Sequence, residues 1–184
     1  MIVKYSKAIA RRVIAFIKLS ILKIFHFKKI KFSLIEIISL STRFGFEGKK
    51  IILGNNISTR RNVEFNTYYD GVIKIGDNSF FNNNCIVAAH KEITIGENCA
   101  FGPNVVIYDH DHDFRHVGGR KAGCYNVNPV KIGNNVWIGA NCIVLRGTVI
   151  EDNTVIAAGT VVKGHISGDS VVYTNKQIKY RQYK

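Results

Sequence analysis

Three aspartates and three histidines crowd into the eight residues Asp109-His110-Asp111-His112-Asp113-Phe114-Arg115-His116. Neutral imidazole takes up a proton near pH 7, and a carboxylate beside it can orient the ring and raise its basicity. The chemistry suggested is general-base activation of a hydroxyl or amine. Tyr108 and Asp109, at the start of the stretch, are candidates to touch the acceptor. His110, His112 and His116, with His90, could instead offer nitrogens to zinc. The bland alternative is a solvated polar loop.

Such a cluster works only if the chain around it is rigid. Ile132, Ile138, Val144, Ile150, Ile156 and Val162 recur every sixth position. Four residues after each stands a small or β-branched residue, from Val136 and Cys142 through Thr148, Thr154 and Thr160 to Ile166. A period of six is neither helical nor the alternation of a simple strand. It predicts a parallel β-helix in which three hexapeptides form one triangular coil and each coil is stable only in a stack. The same register runs through Ile75, Phe81 and Val87, pauses for two extra residues, and resumes at Ile95, Phe101 and Ile107. A fainter coil passes from Leu53 through Phe65. Four to five coils are expected. After Ile107 the register lapses until Ile132, so residues 109–129 should leave the prism as a protruding loop. Cys85, Cys99 and Cys142 fall on the small inward position and read as core. Cys124 has no assigned role. With no CxxC pair and no disulfide framework, a reducing, cytoplasmic compartment is expected.

The charge is uneven. The formal net charge is +13, and residues 1–31 carry nine Lys/Arg and no acid. Ile9, Val13, Phe16, Ile17, Ile21, Ile24 and Phe25, interrupted by Arg11, Arg12, Lys18 and Lys23, read as a basic amphipathic helix. No uninterrupted apolar run approaches the ~20 residues that span a bilayer. The helix can lie on the inner face of an anionic membrane, or pack on its own prism or a neighbouring subunit. No nucleic-acid recognition module is visible. The domain reading is a basic arm over residues 1–48, the β-helix over 49–170 with its loop at 109–129, and a basic tail over 171–184.

Two stretches, "FGPNVVIYDHDHDF" over 101–114 and "PVKIGNNVWIGANCIVLRGTVIEDNTVIAAGTVV" over 129–162, resemble the hexapeptide-repeat O-acetyltransferases, the maltose, galactoside and capsular-polysaccharide enzymes in particular. The resemblance implies a left-handed β-helix, a homotrimer, and transfer of acetyl from acetyl-CoA to a sugar hydroxyl, with no metal. It implies a histidine base soon after the "P-N-V-x-I" strand. Counting from Pro103 gives His112, with His110 as second choice. It further implies an acceptor-binding role for Asn84 and a tryptophan flanking the site at Trp137. Gly139, Ala140, Ala158 and Gly159 would border the pantetheine arm. Lys163, Lys176, Lys179 and Arg181 are candidates to supply positive charge to the cofactor's phosphate. The family's "G-N-P-A-K" stretch is replaced by Thr174-Asn175-Lys176-Gln177-Ile178-Lys179. The acceptor is expected to be a sugar of a surface or capsular glycan or its precursor. The alternatives are N-acetylation of an aminosugar or antibiotic on the same fold, and a γ-type zinc carbonic anhydrase.

Overall fold

In a computed structural model, which describes residues 2–33 and 35–175, the six-residue register becomes a left-handed parallel β-helix of about six turns. Each inward aliphatic sits directly above its counterpart in the coil below. Three parallel sheets of seven, six and six strands form the faces of the prism. The first face runs from Ile30–Lys31 through Lys50–Leu53, Val72–Ile75, Glu92–Ile95, Val130–Ile132 and Val149–Ile150 to His165–Ile166. The second runs from Ser58–Thr59 to Val171–Val172, and the third from Arg43–Phe46 to Val161–Val162. Ile95 pairs with Ile132 across the 109–129 segment, so that segment leaves the stacking undisturbed.

The prism is longer than the regular hexapeptides suggest. Ile30–Lys31 pairs with the strand at Lys50–Leu53, and Arg43–Phe46 with that at Glu64–Thr67. The expected four to five coils become about six because the first coil is built by residues whose sequence does not keep the six-residue spacing. The chain between these strands is anchored by the buried Glu36, whose carboxylate accepts the Ile57 N–H at 2.5 Å and the Ser33 N–H at 3.2 Å.

The core is one continuous column. Phe65, Phe81 and Phe101 fill it, with Phe81 and Phe101 stacked at 4.5 Å between centroids. Cys85, Cys99 and Cys142 are buried free thiols, as their register predicts. The corners have their own logic. Asn62, Asn84, Asn104 and Asn141 all have φ near +60°, a conformation that asparagine tolerates better than most residues. Their amides hydrogen-bond from coil to coil, Asn84 Nδ2 to Asn104 Oδ1 at 3.0 Å and Asn104 Nδ2 to Asn141 Oδ1 at 2.9 Å.

A helix over Ile2–Phe25 precedes the prism. Ala15 and Leu19 are fully buried in the shared core, so the helix covers the open end of the column. Lys18 fixes it there by donating to the carbonyls of Ser39, Leu40 and Thr42. No described helix is long and apolar enough to cross a membrane.

Candidate active site

The segment expected to be a loop is a β-hairpin. His110–His112 pairs antiparallel with Tyr125–Val127, and a short 3-10 turn at Gly119–Ala122 closes the tip. The Asp-His alternation is a strand period of two, which puts the histidines on one side and the aspartates on the other. His112 lies opposite Tyr125, ring to ring at 4.6 Å, while Asp111 accepts from Arg146 Nε at 2.5 Å on the other side.

Asp109 is the hinge pin of this hairpin. It is fully buried, and its carboxylate accepts the backbone N–H groups of His90, Lys91 and Glu92 at 2.8, 2.7 and 2.8 Å. It also contacts His110 Nδ1 at 3.1 Å. Burial works against the charge, but these contacts together outweigh it and hold the carboxyl below its usual range. The role expected for Asp109, touching the acceptor, is therefore not what this carboxylate does: its oxygens face backbone and His110.

His90 completes the arrangement. Its ring stacks on His110 with centroids 3.5 Å apart and planes 20° from parallel. Burial first, and then the neighbouring His110, lower its pKa to about 4, so His90 is neutral at pH 7. Stacked imidazoles point their nitrogens side by side rather than toward one centre. Among the described residues no group of three metal-ligating side chains converges.

These rings line a cleft of about 790 Å³ with Tyr68, Tyr108, Tyr125, Glu64 and Asn66. The histidines and Tyr68 sit at the corner between the third and first faces, and the cleft extends from there over the third face to Glu64 and Ile86. His110 is largely covered, its side chain 14% exposed, whereas His112 is exposed at the cleft's rim. Tyr108 lines the cleft, its hydroxyl's pKa raised by burial and by Glu64.

The other predicted residues lie elsewhere in the single chain. Asn84 belongs to the asparagine ladder at the corner between the second and third faces. Ala140 shares that corner, since Gly159 N–H donates to its carbonyl at 2.8 Å. Gly139 is buried there, and a Cβ on it would meet Ala158 N at 2.6 Å. Gly159, at φ 73°, borders open space, and Ala158 is exposed beside it. This smooth wall fits a slim ligand chain such as a pantetheine arm. Trp137 stands on the second face, 57% exposed, between Ala100 and Val155. Lys163 is exposed beside Gly164; Lys176, Lys179 and Arg181 lie outside the described residues.

The repeat has counterparts elsewhere. A family model described as bacterial transferase hexapeptide (six repeats) matches residues 129–164, and one described as hexapeptide repeat of succinyl-transferase matches residues 72–108. Both stretches are thus built from the hexapeptide repeats of bacterial transferases. Galactoside O-acetyltransferase of Escherichia coli strain K12 is 37% identical over 94 residues, covering 51% of this chain and 46% of that protein. The same organism's putative lipopolysaccharide biosynthesis O-acetyl transferase WbbJ is 31% identical over 132 residues, covering 66% of each. A hexapeptide-repeat acetyltransferase of Vibrio cholerae O1 biovar eltor, solved in complex with acetyl coenzyme A, has a TM-score of 0.58 at 27% identity, over 66% of this chain and 64% of that one. This hexapeptide-repeat chain spans about half the length of the first curated relatives it matches.

Of the cleft residues His90, Tyr68 and Tyr125, the sequence singled out only His90, and that as a possible zinc nitrogen donor. The signal for two of them was the spacing itself. Tyr68 falls in the gap between Phe65 and Ile75, and His90 in the two extra residues after Val87. Both gaps open at the corner where the hairpin leaves.

Proposed function

We propose that the chain transfers an acetyl group from acetyl-CoA to a sugar hydroxyl, with His112 as general base. The observation that carries this reading is the hairpin, which sets His112 at the rim of a tyrosine-rich cleft beside a rigidly held His90–His110 pair. Register agrees, since His112 is the histidine that the resemblance to sugar O-acetyltransferases selects. Acetyl-CoA, when bound, supplies an activated thioester carbon. His112 takes the proton of the acceptor hydroxyl as its oxygen attacks that carbon, and returns it to the sulfur as the carbon–sulfur bond breaks and coenzyme A leaves as the thiol; such general-base help is typically worth 10²–10⁴-fold in rate. Tyr108 and Tyr125 offer flat faces and hydroxyls to a sugar ring. Gly139, Ala140, Ala158 and Gly159 border the pantetheine arm, and Lys163 stands on the following corner.

A second reading of the base has its own support. His110 has a carboxylate partner at 3.1 Å, the arrangement that orients a basic imidazole, whereas His112 has none. Exposure and register favour His112.

The cofactor wall and the histidines occupy different corners of one prism, on opposite sides of the third face. A ternary complex therefore brings the histidine corner of one copy against the small-residue corner of the next, as a closed three-fold ring does. The functional unit in this reading is a homotrimer, working on a surface-glycan sugar or its precursor. An aminosugar acceptor would use the same base and the same wall.

A screen of acetyl-CoA with sugars, nucleotide sugars and aminosugars, read as thiol release with product mass, tests the proposal. Acetylation of a hydroxyl supports it. Product on amines alone moves it to N-acetylation, and no acceptor-dependent thiol release in a CoA-binding protein overturns it.

A further inference from the structure

The helix over Ile2–Phe25 covers the core with one narrow stripe and leaves its opposite half bare. Ala15 and Leu19 face the prism. At 3.6 residues per turn, Ile9, Val13, Phe16, Ile17, Ile21 and Ile24 share the other side, and all are exposed. Ile24 reaches 74%, and Phe25, at the helix end, 76%. An outward face of this size is not what a helix packed only on its own domain shows. Cationic residues border the bare face on both sides, Arg12 and Lys23 along one edge and Arg11 along the other.

A second feature adjoins it. Arg11 and Ile14 form one wall of a cleft of about 690 Å³ that continues over Arg60, Arg61 and Phe80 of the first coils. No acidic residue lines this cleft, and among the described residues none of the three arginines makes an ion pair. The Arg60 guanidinium lies 5.9 Å over the Phe80 ring, which holds it toward the cleft.

We infer that this end of the molecule docks on an anionic lipid surface, the bare helix face seated among acyl chains and the Arg11–Arg60–Arg61 cleft receiving lipid phosphate. The occupant is chosen by charge. The helix segment carries nine basic residues and no acid over residues 1–31, so two copies of this face would repel each other, while an anionic interface is complementary to its border. The inference stands apart from the transferase reading, because it uses no residue of the histidine cleft.

Deletion of the helix is a poor test, since Ala15 and Leu19 close the core. Surface substitutions avoid the problem. Full-length protein is co-sedimented with vesicles of phosphatidylcholine alone and of phosphatidylcholine with phosphatidylglycerol, at low and high salt. Partitioning at least about tenfold higher on anionic vesicles, falling with salt, is expected. Ile17→Glu with Ile24→Glu abolishes it. Arg60→Gln with Arg61→Gln weakens it by about fivefold or more and flattens the salt dependence. Both variants keep the parent circular dichroism and acetyl-CoA binding. Equal partitioning on the two vesicle types, or none on either, overturns the inference. So does a drop in oligomer mass in the Ile17→Glu, Ile24→Glu variant, which assigns the face to contact between copies.

Discussion

Imidazole chemistry at this corner is decided by what each ring touches. His110 is pinned from three directions, by Asp109, by the His90 ring and by the strand that carries it. Among the described residues His112 has one ring contact, Tyr125, and faces solvent. If His112 is the base, His112→Ala lowers kcat by about 10²–10⁴-fold with thermal stability unchanged, while His110→Ala also lowers the melting temperature because it empties a packed stack. Steady-state kinetics with thermal melts on both variants separates the two assignments; near-normal turnover in His112→Ala hands the role to His110. Glu36 allows a pH test remote from catalysis. Burial raises its pKa from 4.5 to about 7, against the two N–H groups that favour its charge. The folded protein therefore holds a proton there that the unfolded chain has already lost. That contribution is full below the unfolded value and is lost as pH rises toward 7. The difference in stability between parent and Glu36→Gln should change by on the order of 2 kcal/mol between pH 4.5 and 7.5. Denaturant titrations at several pH values would show it, and a constant difference contradicts it.

The hairpin shows where sequence reading succeeds and where it stops. The lapse in the six-residue register marked its limits, and its histidines were legible as candidates. Its strands were hidden because three residues of Asp-His alternation are too short to outweigh the polar composition. Placement was harder still. Nothing local says that Asp109 turns inward, since its partners are backbone N–H groups seventeen to nineteen residues earlier. Asn84 illustrates the same limit. Its neighbours in sequence are asparagines, and only the stacked coils reveal it as one rung of a corner ladder. The three N–H donors make Asp109 the joint between hairpin and prism. Asp109→Asn presents an amide where donors converge and should cost about 3 kcal/mol. Amide exchange in 110–127 should accelerate well before exchange in the prism; uniform acceleration would deny the joint a local role.

Across the whole molecule, the regular part of the fold was legible because inward aliphatics at fixed spacing admit one stacking. The first coil was not, since its strands are set by contacts with later coils and by the capping helix. The proposed division of the site between the histidine corner and the small-residue wall gives a prediction at this scale. Mixing two inactive variants, His112→Ala and Gly159→Arg, should restore part of the activity when subunits exchange, because some interfaces then combine an intact histidine corner with an intact wall. Co-expressed, differently tagged chains purified through both tags measure this. No recovery in mixed oligomers places both half-sites within one protomer.

The corner from which the hairpin departs has a wider meaning. Ile95 and Ile132 pair as ordinary neighbours although the chain between them makes an excursion over 109–129. The pairing of the two strands carries on beneath the excursion, with Asp109 as the tie between them. Smaller detours at Tyr68 and His90 open beside it without breaking the ladder. A scaffold that tolerates insertions along one edge can change its acceptor by exchanging excursions while every coil beneath stays the same. Grafting a foreign segment between Asp109 and Asn128, which keeps the three N–H donors of the Asp109 carboxylate in place, is thus the natural engineering entry point.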